Sequence, residues 1–428
     1  MHKLTKLIQD DMKPALGVTE PGAIAFAVAK ARSYTTGALK SVNVALNSGM
    51  YKNAFTCGIP NSQEVGNVFA AALGVVAGDS EKGLESLAGV TPKDNELAAD
   101  LIAQGKIRVQ LAEITSRIFI EATVETSSDK AVVTIRDSHT NIIKIVVNDH
   151  IVFEKESENK ENHMPEETAH IIHNYTLRQM YDYVDTVDAE EIAFIHEAYE
   201  VNNRLFEEGL NNPRTTFARH LLKLNGSKVI SDHEQATASL LCNAAIEARV
   251  IGLDQPAMSI TGSGAHGIIA TMPLYAAYKV NGYPIEKLLR ATALSYLICM
   301  YIKEYSGKLS AFCGCAIAAG TGMACGLVYL RDGNVQMMKA AINNMASSIT
   351  GMICDGGNQG CTMKGIIAVD AAYKSVNFAM NGICVDDVHG INAETAEDTM
   401  KNMGLIASPG MVGTEKTIVD IFQSKLKT

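Results

Sequence analysis

Basic residues are in short supply in this 428-residue chain. Lysine and arginine number 37 against 47 aspartates and glutamates, giving a formal net charge of −10. That deficit argues against a nucleic-acid or anionic-membrane partner, since either needs a basic face. The amino terminus, Met1-His2-Lys3-Leu4-Thr5-Lys6-Leu7, has no apolar core and no small-residue cleavage site, which predicts no export signal. Internal repeats and low-complexity tracts are missing, so neither a solenoid nor a disordered array is expected. Charge is absent from residues 310–330, a stretch long enough to span a bilayer. Its Ala, Gly, Cys and Thr content suits a tightly packed buried helix instead.

What is present reads as an ordinary globular chain, with 47% apolar and 20% charged residues and length for two or three domains. Residues 2–13 read as a short helix. Thr19-Glu20-Pro21 opens a second: Thr19 suits an N-cap, Glu20 the positive helix end and Pro21 the first turn. Residues 41–47 alternate with period two, as a strand does. The stretches 47–53 and 57–62 read as loops, followed by a helix over 63–76. From 107 to 154, β-branched alternating runs are separated by turn signals at 127–129, 137–139 and 148–149. They predict an antiparallel meander. The charged run 154–167 reads as a linker. Helices are predicted beyond it over 189–210, 233–251, 285–305, 312–330, 335–349 and 362–380. The expected fold class is α+β: an N-terminal α/β part with the strand meander over 1–165, then a mostly α-helical domain over 166–428.

The chain has nine cysteines, an odd number, and seven fall between Cys299 and Cys384. The disulfide framework of a secreted domain would be spread differently. Thiols clustered like this read as metal ligands, a reactive thiol or buried small residues. The most distinctive stretch is Cys354-Asp355-Gly356-Gly357-Asn358-Gln359-Gly360-Cys361. Its glycines let the backbone come close to whatever the two sulfurs hold. Upstream lies Cys313-Gly314-Cys315, too tight for the common zinc knuckle. Cysteines from well-separated segments suit a [4Fe–4S] cluster with one open iron, a Lewis acid for a hydroxyl, thiol or carboxylate. Spacing leaves both Cys313 and Cys315 open as the third ligand.

In Gly262-Ser263-Gly264-Ala265-His266-Gly267, two glycines around Ser263 make a tight turn before an apolar helix. Backbone N–H groups at such a helix start can hold a carboxylate, and His266 suits a general acid or base. A structural turn with a satisfied histidine accounts for the same pattern. Cys57, near Lys52, is a candidate activated thiol. Lys303 and Lys308 flank the cysteine segment and fit either an anion-stabilising role or solvated ends.

Together these segments resemble the iron–sulfur L-cysteine desulfidase family (UPF0597), related to the α-chain of bacterial iron–sulfur L-serine dehydratases. The resemblance runs through most of the chain. It is carried by Pro14-Ala15-Leu16-Gly17-Val18-Thr19-Glu20-Pro21, Tyr51-Lys52-Asn53 with Gly58-Ile59-Pro60, and Gly262-Ser263-Gly264-Ala265-His266-Gly267. The most specific parts are residues 307–320 around Cys313-Gly314-Cys315, and Gly351-Met352-Ile353-Cys354-Asp355-Gly356-Gly357.

The resemblance implies a [4Fe–4S] cluster held by Cys354, Cys361 and one of Cys313 and Cys315. Cys315 is favoured because it aligns with the glycine–cysteine step of the serine dehydratases. It also implies a cytoplasmic lyase of amino-acid catabolism, acting by β-elimination without pyridoxal phosphate. L-cysteine would give pyruvate, ammonia and sulfide; L-serine would give pyruvate and ammonia. Thr19, Glu20, Ser48 and Ser263 would orient the substrate carboxylate and ammonium. Two positions depart from the family pattern. Where the family usually reads Gly-Cys-Thr-Glu-Pro, with the cysteine as the proposed base, this chain has Val18. Where it usually reads Gly-Ser-Gly-Asn-His-Gly, this chain has Ala265. Cys57 and His266 are then the candidate bases. Val18 also raises two alternatives: a dehydratase with another substrate, and a non-catalytic cluster- or ligand-binding homologue. The partner expected is a small-molecule substrate, with neither nucleic acid nor membrane, and self-association into a homo-oligomer is left open.

Overall fold

Alternating β-branched residues give each strand one apolar face, and helices with apolar stripes cover it. The computed structural model describes residues 1–115, 117–155, 171–307 and 309–425. The first part runs α1 (Lys3–Asp11), β1 (Lys13–Leu16), α2 (Thr19–Ser33), β2 (Leu39–Asn47), α3 (Ser48–Asn53), α4 (Asn67–Ala77) and α5 (Pro92–Ala103). Strands β3 (Ile107–Glu113), β4 (Phe119–Thr126), β5 (Lys130–Arg136), β6 (Ile142–Val147) and β7 (His150–Glu154) follow. They join β2 in a six-stranded sheet of order β3-β2-β4-β5-β6-β7. From β4 to β7 the sheet is the expected antiparallel meander. β3 instead pairs parallel with β2, Val42 opposite Ile107. The intervening α3, α4 and α5 make this a crossover, which parallel pairing requires. One apolar core lies between this sheet and the helices, with Ile24, Leu46, Leu73, Ile120 and Ile135 wholly buried in it.

The second part is helical: α6 (Leu177–Thr186), α7 (His196–Asn211), α8 (Phe217–Leu224), α9 (Glu234–Val250), then strand β8 (Pro256–Ser259) and α10 (Gly264–Asn281). After these come α11 (Ile285–Ser306), α12 (Gly320–Leu330), α13 (Val335–Ile349), α14 (Gly360–Met380), α15 (Ala396–Leu405) and α16 (Val412–Lys425). The chain is therefore α+β, with a second apolar core among these helices. Two segments cross over. Leu4 and Ile8 of α1 are buried in the helical core, and β1 pairs antiparallel with β8, Lys13 opposite Ser259. At the other end, Val419 of α16 is buried in the sheet-side core.

Several expectations shift on this framework. Of residues 47–53, Asn47 ends β2 and 48–53 form the short helix α3 rather than a loop. Asn47 holds the strand end by donating from Nδ2 to Thr115 O (2.9 Å) and accepting from Phe119 N (3.0 Å), so the chain can turn directly into a helix. The helix expected from 63 starts at Asn67, because Gly66 at φ 96° breaks the helical path. Thr19 is the first helical residue of α2 and Val18 the residue before it, so Thr19 is no cap. The helix expected over 312–330 opens instead with a β-bridge between Phe312 and Ile353, then a π-helical turn over Cys315–Ala319 that leads into α12. Most of the linker expected over 154–167 lies outside the described residues, as does Lys308. No helix among the described residues is long and apolar enough to cross a membrane.

Candidate active site

A cavity of about 370 Å³ opens between the sheet side and the helical side. Cys315, Cys354 and Cys361 all line it, whereas Cys313 does not. Backbone pairing brings the three together. Cys313 N donates to Met352 O (3.0 Å) and Cys354 N to Ala311 O (2.6 Å), tying the two cysteine segments side by side. Cys361 sits in the first turn of α14, its N donating to Asn358 O (2.9 Å). Between them Gly356 takes φ 105°, and a Cβ there would stand 2.5 Å from the Lys52 carbonyl oxygen. Only glycine fits such a position without moving backbone. Next to it Gly357 N donates to Asn53 O (3.1 Å), docking the loop on α3.

All three thiols are partly buried, and those of Cys354 and Cys361 are held above the ordinary thiol value. Burial, and then Cys354, push Cys361 up to about 12; burial likewise raises Cys354. Among the described residues, no three His, Cys, Asp or Glu side chains converge on a single-ion site. Three soft thiols sharing a cavity without that convergence suit a group wider than one ion. Cys313 stands aside: its bond with Cys315 and its burial raise it well above the ordinary thiol value.

Cations form one wall. Arg249, near the end of α9, is 5% exposed, and its Nε has no hydrogen-bond partner. It lies against the start of α10, where a Cβ on Gly264 would come 2.6 Å from that Nε. Gly262, Ser263, Ala265 and His266 line the same wall, and Ser263 precedes α10 without a side-chain capping bond. Lys303 of α11 is buried and donates to Gly307 O (2.7 Å). Burial lowers its pKa, and the nearby sulfurs of Cys299, Cys315 and Cys354 pull the other way. His266 Nδ1 lies 2.5 Å from Thr261 Oγ1, which itself donates to Ile260 O (2.7 Å). Nδ1 is therefore the donor, and the bare Nε2 faces Gly314. Burial, then Lys303 and Arg249, push this imidazole down to about 3, so it is neutral near pH 7.

The opposite wall comes from the sheet side: Val18, Thr19 and Glu20 at the start of α2, Asn53 of α3, and Ser138 and His139 from the turn between β5 and β6. Asn53 Nδ2 donates to Glu20 Oε1 (3.0 Å), and the Cys354 thiol points at Asn53 Oδ1 (3.9 Å). Burial would raise the Glu20 carboxyl, but His139 and Asn53 outweigh it and hold it at about 2. Val18 packs directly on the 354–361 loop, its Cγ1 being 3.0 Å from where a Gly357 Cβ would be.

Seven of the residues expected at a site thus line one cavity: Thr19, Glu20, Ser263, His266, Cys315, Cys354 and Cys361. Two do not. Ser48 is wholly buried, with its hydroxyl accepting from Thr115 N (3.2 Å) and donating to Thr115 O (3.3 Å). Cys57 is wholly buried, and burial followed by the Glu20 charge pushes its thiol well up.

The family model described as serine dehydratase alpha chain matches residues 81–420. The chain belongs to that family. It is also similar to a UPF0597 protein of Clostridium botulinum (strain Hall), 40% identical over 98% of this chain and 97% of that one. A UPF0597 protein of Caldanaerobacter subterraneus subsp. tengcongensis is 38% identical over 99% and 98%. One of Clostridium tetani is 35% identical over 98% and 97%.

Three residues lining the cavity of this serine dehydratase alpha chain homologue escaped the sequence reading: Arg249, His139 and Asp11. Arg249 carried a usable signal, the one cation in the largely apolar stretch 237–250. His139 was read only as part of a turn, and nothing in its neighbours says which way that turn faces. Asp11 closes α1 and accepts from Thr261 N, a contact 250 residues apart in sequence.

Proposed function

We propose that the protein is a [4Fe–4S]-dependent lyase catalysing β-elimination on a small amino acid such as L-cysteine or L-serine. The observation that carries this reading is one cavity lined by three cysteines, two buried cations and a buried anion. Cys315, Cys354 and Cys361 would hold the cluster. When bound, it supplies an iron with an open position, a Lewis acid for the departing hydroxide or thiolate. Lys303 beside the cysteines offsets the negative charge of such a group.

The remaining residues sort the substrate by charge. Arg249 and the backbone N–H groups opening α10 at Ser263 receive the carboxylate; a guanidinium grips it at two points. Glu20, anionic and beside Thr19, receives the ammonium. The β-substituent is then left facing the cysteines. Val18 gives this wall an apolar patch that excludes water and takes no proton. Of the two base candidates, Cys57 stands behind the wall, and His266 remains as a neutral hydrogen-bonding group toward Gly314.

The test is anaerobic purification with iron and sulfide analysis, followed by pyruvate and sulfide release from L-cysteine, L-serine and their analogues. Cys354→Ala and Cys361→Ala should each abolish the visible cluster absorption. Full iron and sulfide content in both variants would show that the ligands are wrongly assigned. Intact cluster with no product from any amino acid would favour a non-catalytic homologue.

A further inference from the structure

Resting on the lyase reading above, we propose that His139 is the catalytic base that removes the substrate's α-proton, with Glu20 as the positioning residue behind it. His139 sits in the tight turn that reverses the chain from β5 to β6. Asp137 there takes φ 65°, and Asn141 Nδ2 donates to Arg136 O (2.9 Å), which fixes the turn. Arg117 clamps it from outside, its NH2 group 3.0 Å from Asp137 Oδ1. The turn thereby carries His139 into the cavity wall opposite Arg249 and the start of α10.

Its Nε2 is shut off from solvent and has no hydrogen-bond partner in the protein. The His139 side chain lines the cavity and keeps 14% exposure, so the ring meets what enters it. Glu20 Oε1 lies 3.9 Å from Nε2, so the carboxylate faces the ring on the same wall. Glu20 in turn is held by Asn53, whose Oδ1 faces the Cys354 thiol. Along one wall, Cys354, Asn53, Glu20 and His139 therefore connect the leaving-group end of the cavity to the base.

The other titratable groups of the cavity are committed elsewhere. Arg249 and Lys303 are cations, and Lys303 donates to Gly307 O. Asp11 accepts from Thr261 N, and Glu304 is engaged by a partner. Glu20 is too weak a base with its carboxyl held at about 2. His266 Nε2 abuts Gly314, and the three cysteines are the cluster ligands. A substrate with its carboxylate on Arg249 and its ammonium on Glu20 turns its Cα toward His139.

The step balances without a further reagent. The His139 imidazole takes the α-proton, leaving the C–H electron pair at Cα, and that pair then forms the Cα–Cβ double bond. The Cβ–O or Cβ–S bond breaks, and its pair leaves with the hydroxide or thiolate. The product, 2-aminoacrylate, tautomerises and adds water to give pyruvate and ammonia.

The anaerobically reconstituted enzyme would be assayed for pyruvate release and for deuterium uptake at Cα of L-alanine in D₂O, which has no leaving group. His139→Gln should slow both by about 100-fold or more, within the usual contribution of a general base. Cluster absorption should match the wild type, showing an intact fold and site. His139→Ala should regain part of the exchange when free imidazole is added. Glu20→Asp should retain more exchange than Glu20→Gln, as a positioning role requires. Exchange in His139→Gln within threefold of the wild type, with pyruvate release preserved, would overturn the assignment alone. A loaded wild type that neither releases pyruvate nor exchanges α-protons would overturn both the base and the lyase reading.

Discussion

Glu20 holds a full charge inside a buried wall, and that charge ties the site to stability. Its folded pKa of about 2 lies below the ordinary 4.5, because His139 and Asn53 outweigh the cost of burial. A carboxyl depressed on folding adds stability above its unfolded pKa and loses it as pH falls through the folded value. The window is therefore pH 4.5 down to about 2, and the full contribution is about 3 kcal/mol. Glu20→Gln keeps an acceptor for Asn53 but not the charge. Urea unfolding should show the wild-type advantage over Glu20→Gln shrinking by that amount from pH 5 to pH 2. A constant difference across the window would mean that Glu20 is not the buried anion. His139 shows why this part of the site was illegible in sequence. The run Asp137-Ser138-His139 announces a reversal of the chain, but the direction a turn faces is fixed by the sheet's register and by what packs against it. The cysteines were legible for the opposite reason. Thiols around glycines, flanked by apolar sequence, have few uses, and Cys315, Cys354 and Cys361 do line one cavity.

At the scale of elements, the 354–361 loop depends on α3, and α3 on α16. Lys52 of α3 is 1% exposed, with its Nζ 2.7 Å from Glu415 Oε2 of α16 and 2.9 Å from Ser310 O. Its backbone carbonyl abuts Gly356 of the 354–361 loop. One buried lysine thus joins α3, α16 and the chain leading into the cysteine segment. Removing one partner of a buried pair leaves an uncompensated charge, which costs about 3–5 kcal/mol. Lys52→Met should lower the unfolding free energy by that amount and also reduce cluster retention. Lys52→Met with Glu415→Leu should recover most of the stability, because two apolar side chains can replace a buried pair at little cost. A double variant as unstable as the single one would show that Lys52 works through Ser310 rather than Glu415. Nothing near Lys52 in sequence points to Glu415, 363 residues away. The strands were easier: β4 alternates buried and partly buried residues along its whole length, a pattern that depends on nearest neighbours alone. The parallel pairing of β2 with β3 escaped because register across a crossover is set by the helices between them.

For the whole molecule, the consequence is cooperativity. Each core borrows from the other end of the chain: α1 and β1 join the helical core, and α16 supplies Val419 to the sheet side. Neither core is complete without the exchanged segment, so the two should unfold together. The cavity lies across the same junction, with Val18, Glu20, Asn53 and His139 on one side and Arg249, Lys303 and the three cysteines on the other. The proposed cluster, held by the three cysteines with the 354–361 loop docked on Asn53, would stabilise the folded state of both sides at once. A group present at 100 times its dissociation constant adds about 2.7 kcal/mol. Scanning calorimetry of the reconstituted protein should therefore give one transition, shifted to lower temperature when the cluster is removed by chelation under anaerobic conditions. In Cys361→Ala the transition should sit at the same temperature with and without reconstitution. Two separate transitions in the loaded protein would show that the exchanged segments do not couple the cores. A single transition that ignores the cluster would place the bound group away from the junction.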